Sequence, residues 1–257
     1  SKALDVLMKG CDSLVFELCQ NKKIDYNTLF SEIEFDYIES KLVISNEDQY
    51  LDIKRYYLED LPSNLNLSID LINYREFNLD TIIADLKLKQ TPTFLVNGFK
   101  IQQCGAATWQ EIAFCLATGH EYLVTLMKKG MSIDEASACI DFSVGIGSNY
   151  FYEISKLRAL RQNWSVIINA YNPIHNCSFH CPITAEIGFM NKSLRDPHTN
   201  LLRQTTETMS AVIGGANTII VHPYDSHSIN GSTTFTERMA LNSSLILKEE
   251  AYLDKVI

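Results

Sequence analysis

Apolar positions change period repeatedly along this chain, and the changes divide it into elements. Short runs of β-branched and aliphatic residues recur at Ser13–Leu18, Leu42–Ser45, Leu67–Ile72, Thr93–Asn97, Cys139–Val144, Pro182–Ile187 and Thr218–His222. Several are apolar almost without a break, the pattern of strands covered on both faces. The stretches between them follow a helical period. Tyr150 to Trp164 carries Phe151, Ile154, Leu157, Leu160 and Trp164 at steps of three and four, with Lys156, Arg158 and Arg161 turned elsewhere. Asp196-Pro197 supplies an N-cap and a first-turn proline; Leu201, Leu202, Thr205, Met209 and Val212 continue the apolar face, and Gly214-Gly215 stops it. Ser132 with Glu135, and Thr234 with Glu237, have the spacing of capping boxes.

Strands alternating with helices predict parallel pairing through right-handed crossovers. The fold class expected is α/β, a (β/α)8 TIM-type parallel barrel forming one domain over residues 1–257. Seven strands are visible where a closed barrel wants eight. The chain opens on a helical pattern, Lys2 to Lys9, so the missing first strand is expected to precede Ser1. The competing arrangement is an open, doubly wound sheet.

Composition narrows the function classes. The chain has 257 residues, 46% of them hydrophobic, and a formal net charge of −9. No basic run is longer than Lys128-Lys129, so neither a nucleic-acid groove nor an anionic membrane surface is an expected partner. There is no bilayer-length apolar stretch and no signal-peptide pattern at Ser1. Seven scattered cysteines read as reduced thiols, which gives a cytoplasmic expectation.

Candidate chemistry is sparse. His175, Cys177, His180 and Cys181 are metal-ligating types, but they crowd into seven residues entering a strand, where alternation sends His180 and Cys181 to opposite faces. They read as loop and core residues, and no metal is expected. Asp225-Ser226-His227-Ser228-Ile229-Asn230-Gly231 approaches D-x-H-x-x-G but has one residue too many before Gly231, and reads as a polar loop. Gly145-Ile146-Gly147 and Gly214-Gly215 extend into no phosphate-binding motif. Lys100 follows the Thr93–Asn97 strand at the end where barrel enzymes place their chemistry. It could serve there as an amine nucleophile or anion contact, but the residue alone reads more readily as an ordinary surface lysine on a loop.

Four segments carry a family resemblance: Gly145–Trp164, Arg195–Gly215, Phe235–Asn242 (FTERMALN) and Gly98–Ala106 (GFKIQQCGA). In order and spacing they are similar to the barrel domain of the methylmalonyl-CoA mutase family, over roughly Gln90 to Lys255. That resemblance implies a barrel threaded by coenzyme A and a radical rearrangement with adenosylcobalamin held in a separate domain. The family's Tyr-His pair over the thioester is here Phe99-Lys100, its R-T-H-x-Q strand aligns with Pro182–Glu186 so that arginine becomes Pro182, and Asn217 stands in place of glutamine. No cobalamin-binding domain is expected within residues 1–257. These degenerate positions, with Asn191-Lys192-Ser193 before Asp196-Pro197, make the resemblance strongest to the non-catalytic small subunit of heterodimeric members. The expected partner is the catalytic large subunit, which would hold the adenosylcobalamin, this chain binding no cofactor itself. The alternative is a catalytic barrel whose corrin domain lies beyond this sequence.

Overall fold

The computed structural model describes residues 2–18, 24–57, 62–71, 79–86, 93–229 and 231–256. Its elements run, in chain order, α1 (Lys2–Leu7), β1 (Ser13–Glu17), α2 (Tyr26–Leu29), β2 (Glu39–Ile44), α3 (Glu47–Tyr56), β3 (Leu65–Ile69), α4 (Leu79–Leu86), β4 (Thr93–Asn97), α5 (Gly98–Gln103), α6 (Thr108–Lys128), α7 (Ile133–Ala138), β5 (Ile140–Ile146), α8 (Tyr150–Asn169), β6 (Ile183–Ile187), α9 (Pro197–Ile213), β7 (Thr218–Ile220) and α10 (Thr234–Leu245). Contacts group these residues into two units, Ser1–Leu95 with Thr125–Ser132, and Val96–Val124 with Ile133–Ile257.

In the first unit β1, β2, β3 and β4 pair in parallel and in sequence order, in a register that sets Phe16 beside Leu42, Leu42 beside Leu67, and Ile69 beside Phe94. Side chains on adjacent parallel strands share a face at such positions, so one face is a continuous apolar layer. Lys41, Asn66, Val43 and Ser68 fall on the other. The last residue of the expected strand Leu67–Ile72 lies outside the described residues.

The second unit repeats the device. β5 pairs with β6 and β6 with β7, all parallel. Phe142 and Ile183, then Ile146 and Ile187, form the apolar rows. Ser143, Thr184 and Thr218 form a polar row on the opposite face. Phe142 meets Trp164 of α8 edge-to-face, with ring centroids 5.0 Å apart and both side chains fully buried. Strand order is sequential throughout each unit, without the reversal that defines a doubly wound sheet. The fold class is therefore α/β of the TIM-barrel type, with seven of its eight strands among the described residues.

Three local expectations are corrected. The capping box before α10 is one residue earlier than the Thr234/Glu237 spacing suggests: Thr233 is the N-cap, and it exchanges bonds with Thr236. On α8, Leu157, Leu160 and Trp164 are buried as the period predicts, but Phe151 is 79% exposed and Lys156 is buried. On α9 the inward face is polar. Asn200, Gln204, Glu207, Thr208 and Ser210 are buried, whereas Leu202 is 70% exposed. Most of these polar groups bond to partners inside the fold, and a satisfied polar group loses the penalty that would otherwise expel it. The caps of α9 follow the sequence: the Asp196 side chain accepts from Thr199 N, and Gly215 takes a positive φ of 80° after the last turn.

Candidate functional site

The carboxyl ends of β6 and β7, with the first turns of α9, enclose a cavity of about 300 Å³ in the second unit. Glu186, next to last in β6, reaches His222, two residues beyond β7, and Oε1 lies 2.7 Å from Nε2. Phe189 follows β6 and is fixed by a bond from its N–H to Oε1 of Gln103. Its ring packs against His222 at 4.6 Å and edge-on against His227 at 4.1 Å. Asn200 and Gln204 come from the buried face of α9. Lys192 also lines the cavity and is ion-paired with Glu207, which Asn191 bonds from the other side. Burial pushes the Lys192 ammonium below its ordinary value, and the Glu207 carboxylate opposes that shift.

A smaller cavity of about 200 Å³ opens at the carboxyl end of β5, bordered by Gln102, Gly147 and Glu153. Beneath it is a buried charge cluster. Lys156 Nζ lies 2.7 Å from Glu111 Oε2 and 2.5 Å from Glu153 Oε2, and donates to Gly145 O as well. Gly145 N–H donates to Glu111 Oε1 at 2.7 Å, so β5 is clamped at both backbone groups of one residue. Burial raises the Glu111 carboxyl above its ordinary value despite the neighbouring ammonium.

The structure separates the sequence-predicted site residues. Phe99 and Lys100 lie in the first turn of α5, directly at the carboxyl end of β4, so Lys100 sits on a helix where a loop was expected. Phe99 faces Phe189, a lining residue of the larger cavity, with ring centroids 6.1 Å apart, whereas Lys100 is exposed. Pro182 and Asn217 lie at the opposite, amino ends of their strands. Pro182 O accepts from Phe142 N, while Asn217 Oδ1 accepts from Ile183 N at 3.0 Å and from Arg161 at 2.9 Å. Those bonds knit β5, β6 and β7 together and give both residues a scaffold role.

His175, Cys177 and His180 are exposed whereas Cys181 is buried, and among the described residues no group of three or more His, Cys, Asp or Glu converges as a metal site. Burial pushes the Cys115 and Cys181 thiols up to about 12, so both are protonated and unreactive at neutral pH. In the Asp225–Gly231 motif Ser228 N–H donates to Asp225 O and Gly231 N–H to Ser228 O, while Asn230 lies outside the described residues. The charge cluster and the Glu186–His222 pair were missed in the sequence. Glu153 and Lys156 stand three apart beside the α8 stripe, a visible hint, but Glu111 is 45 residues from Lys156 and nothing local announces it.

The sequence model of the family described as Methylmalonyl-CoA mutase matches residues 64–257. The chain belongs to the methylmalonyl-CoA mutase family. Its segment GFKIQQCGA is α5 and the turn after it, Gly145–Trp164 and Phe235–Asn242 cover most of α8 and α10, and Arg195–Gly215 contains α9. Among relatives, the methylmalonyl-CoA mutase small subunit of Porphyromonas gingivalis is 35% identical, over all of this chain and 45% of its own length. The methylmalonyl-CoA mutase of Rhizobium meliloti is 33% identical over 68% of this chain and 25% of its own, and the human mitochondrial methylmalonyl-CoA mutase 32% over 68% and 24%. The chain thus spans less than half the length of each. No helix among the described residues is long and apolar enough to cross a membrane.

Proposed function

We propose that this chain is the non-catalytic small subunit of a heterodimeric, adenosylcobalamin-dependent methylmalonyl-CoA mutase, which docks on and stabilises the large subunit that performs the rearrangement. The observation that carries the reading is Phe99-Lys100 at the carboxyl end of β4. Phe99 has no hydroxyl and is drawn into an aromatic contact with Phe189, and Lys100 cannot offer the imidazole hydrogen bond that a thioester carbonyl would take at that place. Likeness along the whole chain to a relative named as a small subunit supports it.

The residues of the Asp225–Gly231 loop do not fit a cobalt-ligating motif. His227 is packed edge-on against Phe189, and the spacing from Asp225 through His227 to Gly231 is one residue longer than that motif. Adenosylcobalamin is accordingly assigned to the partner. A cytoplasmic location belongs to the same reading.

The test is turnover. Supplied with methylmalonyl-CoA and adenosylcobalamin, the chain alone should produce no succinyl-CoA, and Phe99→Tyr combined with Lys100→His should not create activity. Turnover by the unaltered chain would overturn the reading.

A further inference from the structure

Two overlapping turns at the larger cavity gather rings around one carboxylate. Ser226 N–H donates to Pro223 O and Ser228 N–H to Asp225 O, so Asp225 belongs to both turns and stands between His222 and His227. Both imidazoles pack on the Phe189 ring, with centroids 4.6 Å and 4.1 Å from it, and all three rings line the cavity. Each is open to a ligand. Phe189 is half-buried, the His222 side chain is 31% exposed and His227 is exposed, while Asp225 is half-buried and lines the same space.

The charges at this cavity are unequal. Lys192 is cancelled by Glu207, and Arg203 is turned to Oδ1 of the lining residue Asn200. Glu186 meets His222 through a 2.7 Å bond that a neutral imidazole can donate, which leaves the carboxylate charge in place. Asp225 forms no ion pair among the described residues. Two cationic side chains thus face three carboxylates when the histidines are neutral, and the excess negative charge stands beside aromatic rings. Ring faces attract cations, and a carboxylate in a cavity partly shielded from water adds to that attraction. An anion would meet the same excess as repulsion. A metal ion would find no converging set of ligating side chains among the described residues. An ammonium ion clothed in carbon suits both the rings and the charge.

We propose that this cavity binds a small alkylated ammonium ion, its charge set against the Phe189 ring and the Asp225 carboxylate. At about 300 Å³ the cavity admits a molecule the size of choline. The site rests on the cavity and is independent of the subunit reading, so failure of either leaves the other intact.

Choline and neohexanol, in which carbon replaces the ammonium nitrogen, separate charge from shape. In calorimetric titration or ligand-observed NMR on the full chain, choline should bind saturably at about millimolar concentration, and neohexanol at least about tenfold more weakly. Asp225→Asn keeps the size of the side chain and should lose about threefold or more in choline affinity, with the unfolding midpoint unchanged. Phe189→Leu removes the ring but stays apolar, and should lose at least as much. The proposal is overturned if choline shows no saturable binding, if neohexanol binds as tightly, or if Asp225→Asn binds choline undiminished.

Discussion

Lys156 holds two carboxylates in a place water does not reach, with its side chain and that of Glu111 both at 0% exposure. The stabilising value of such a cluster is modest, because desolvation offsets most of the attraction, but breaking it is costly. Lys156→Met should therefore destabilise the fold by about 3–5 kcal/mol in urea unfolding at pH 7. The loss should depend on pH in a defined direction. A carboxyl whose folded value is raised binds more protons folded than unfolded, so stability gained from its protonation grows as pH falls through the folded value toward the ordinary 4.5. Without the ammonium, Glu111 rises further, and the variant's deficit should shrink between pH 7 and pH 5. An equal deficit at both would show that the lysine serves packing and not charge. The sequence concealed this site because an α8 stripe of Leu157, Leu160 and Trp164 suggests that charged neighbours point outward, and only the distant Glu111 makes inward burial of Lys156 affordable.

At the scale of elements, the close seating of α5 on β5 depends on Gly98. A Cβ there would lie 2.5 Å from Cys115 Sγ and 2.9 Å from Ser143 O, and the backbone oxygen cannot swing aside. Gly98→Ala should cost about 1–3 kcal/mol and displace Phe99 from Phe189, seen as a lower unfolding midpoint and a changed near-ultraviolet dichroism. An unchanged midpoint would mean that α5 can shift freely. Element identity was legible in the sequence wherever period and caps agreed: α8, the Asp196 cap of α9 and all seven strands lie where the pattern puts them, with ends differing by a few residues. Orientation was less legible. The face of α9 bearing Leu202 and Met209 looks like a core stripe, yet the helix turns Asn200 and Glu207 inward because Ser193, Tyr224 and Lys192 offer them bonds that no helical period can reveal.

For the whole molecule, the parallel, sequentially ordered strands follow from alternating β and α patterns, and the family follows from α5, α8, α9 and α10. The candidate site was only half legible. Phe99 packs on Phe189 of the cavity lining, whereas Pro182 and Asn217 bond at the amino ends of β6 and β7, away from the carboxyl ends that enclose the cavity. The role proposed for the chain as a whole is carried out on a partner. The most direct measurement is the mass of the mixture of this chain with the catalytic large subunit, by sedimentation equilibrium at micromolar concentration. A stable one-to-one complex is the predicted result; two species that sediment independently would contradict the account.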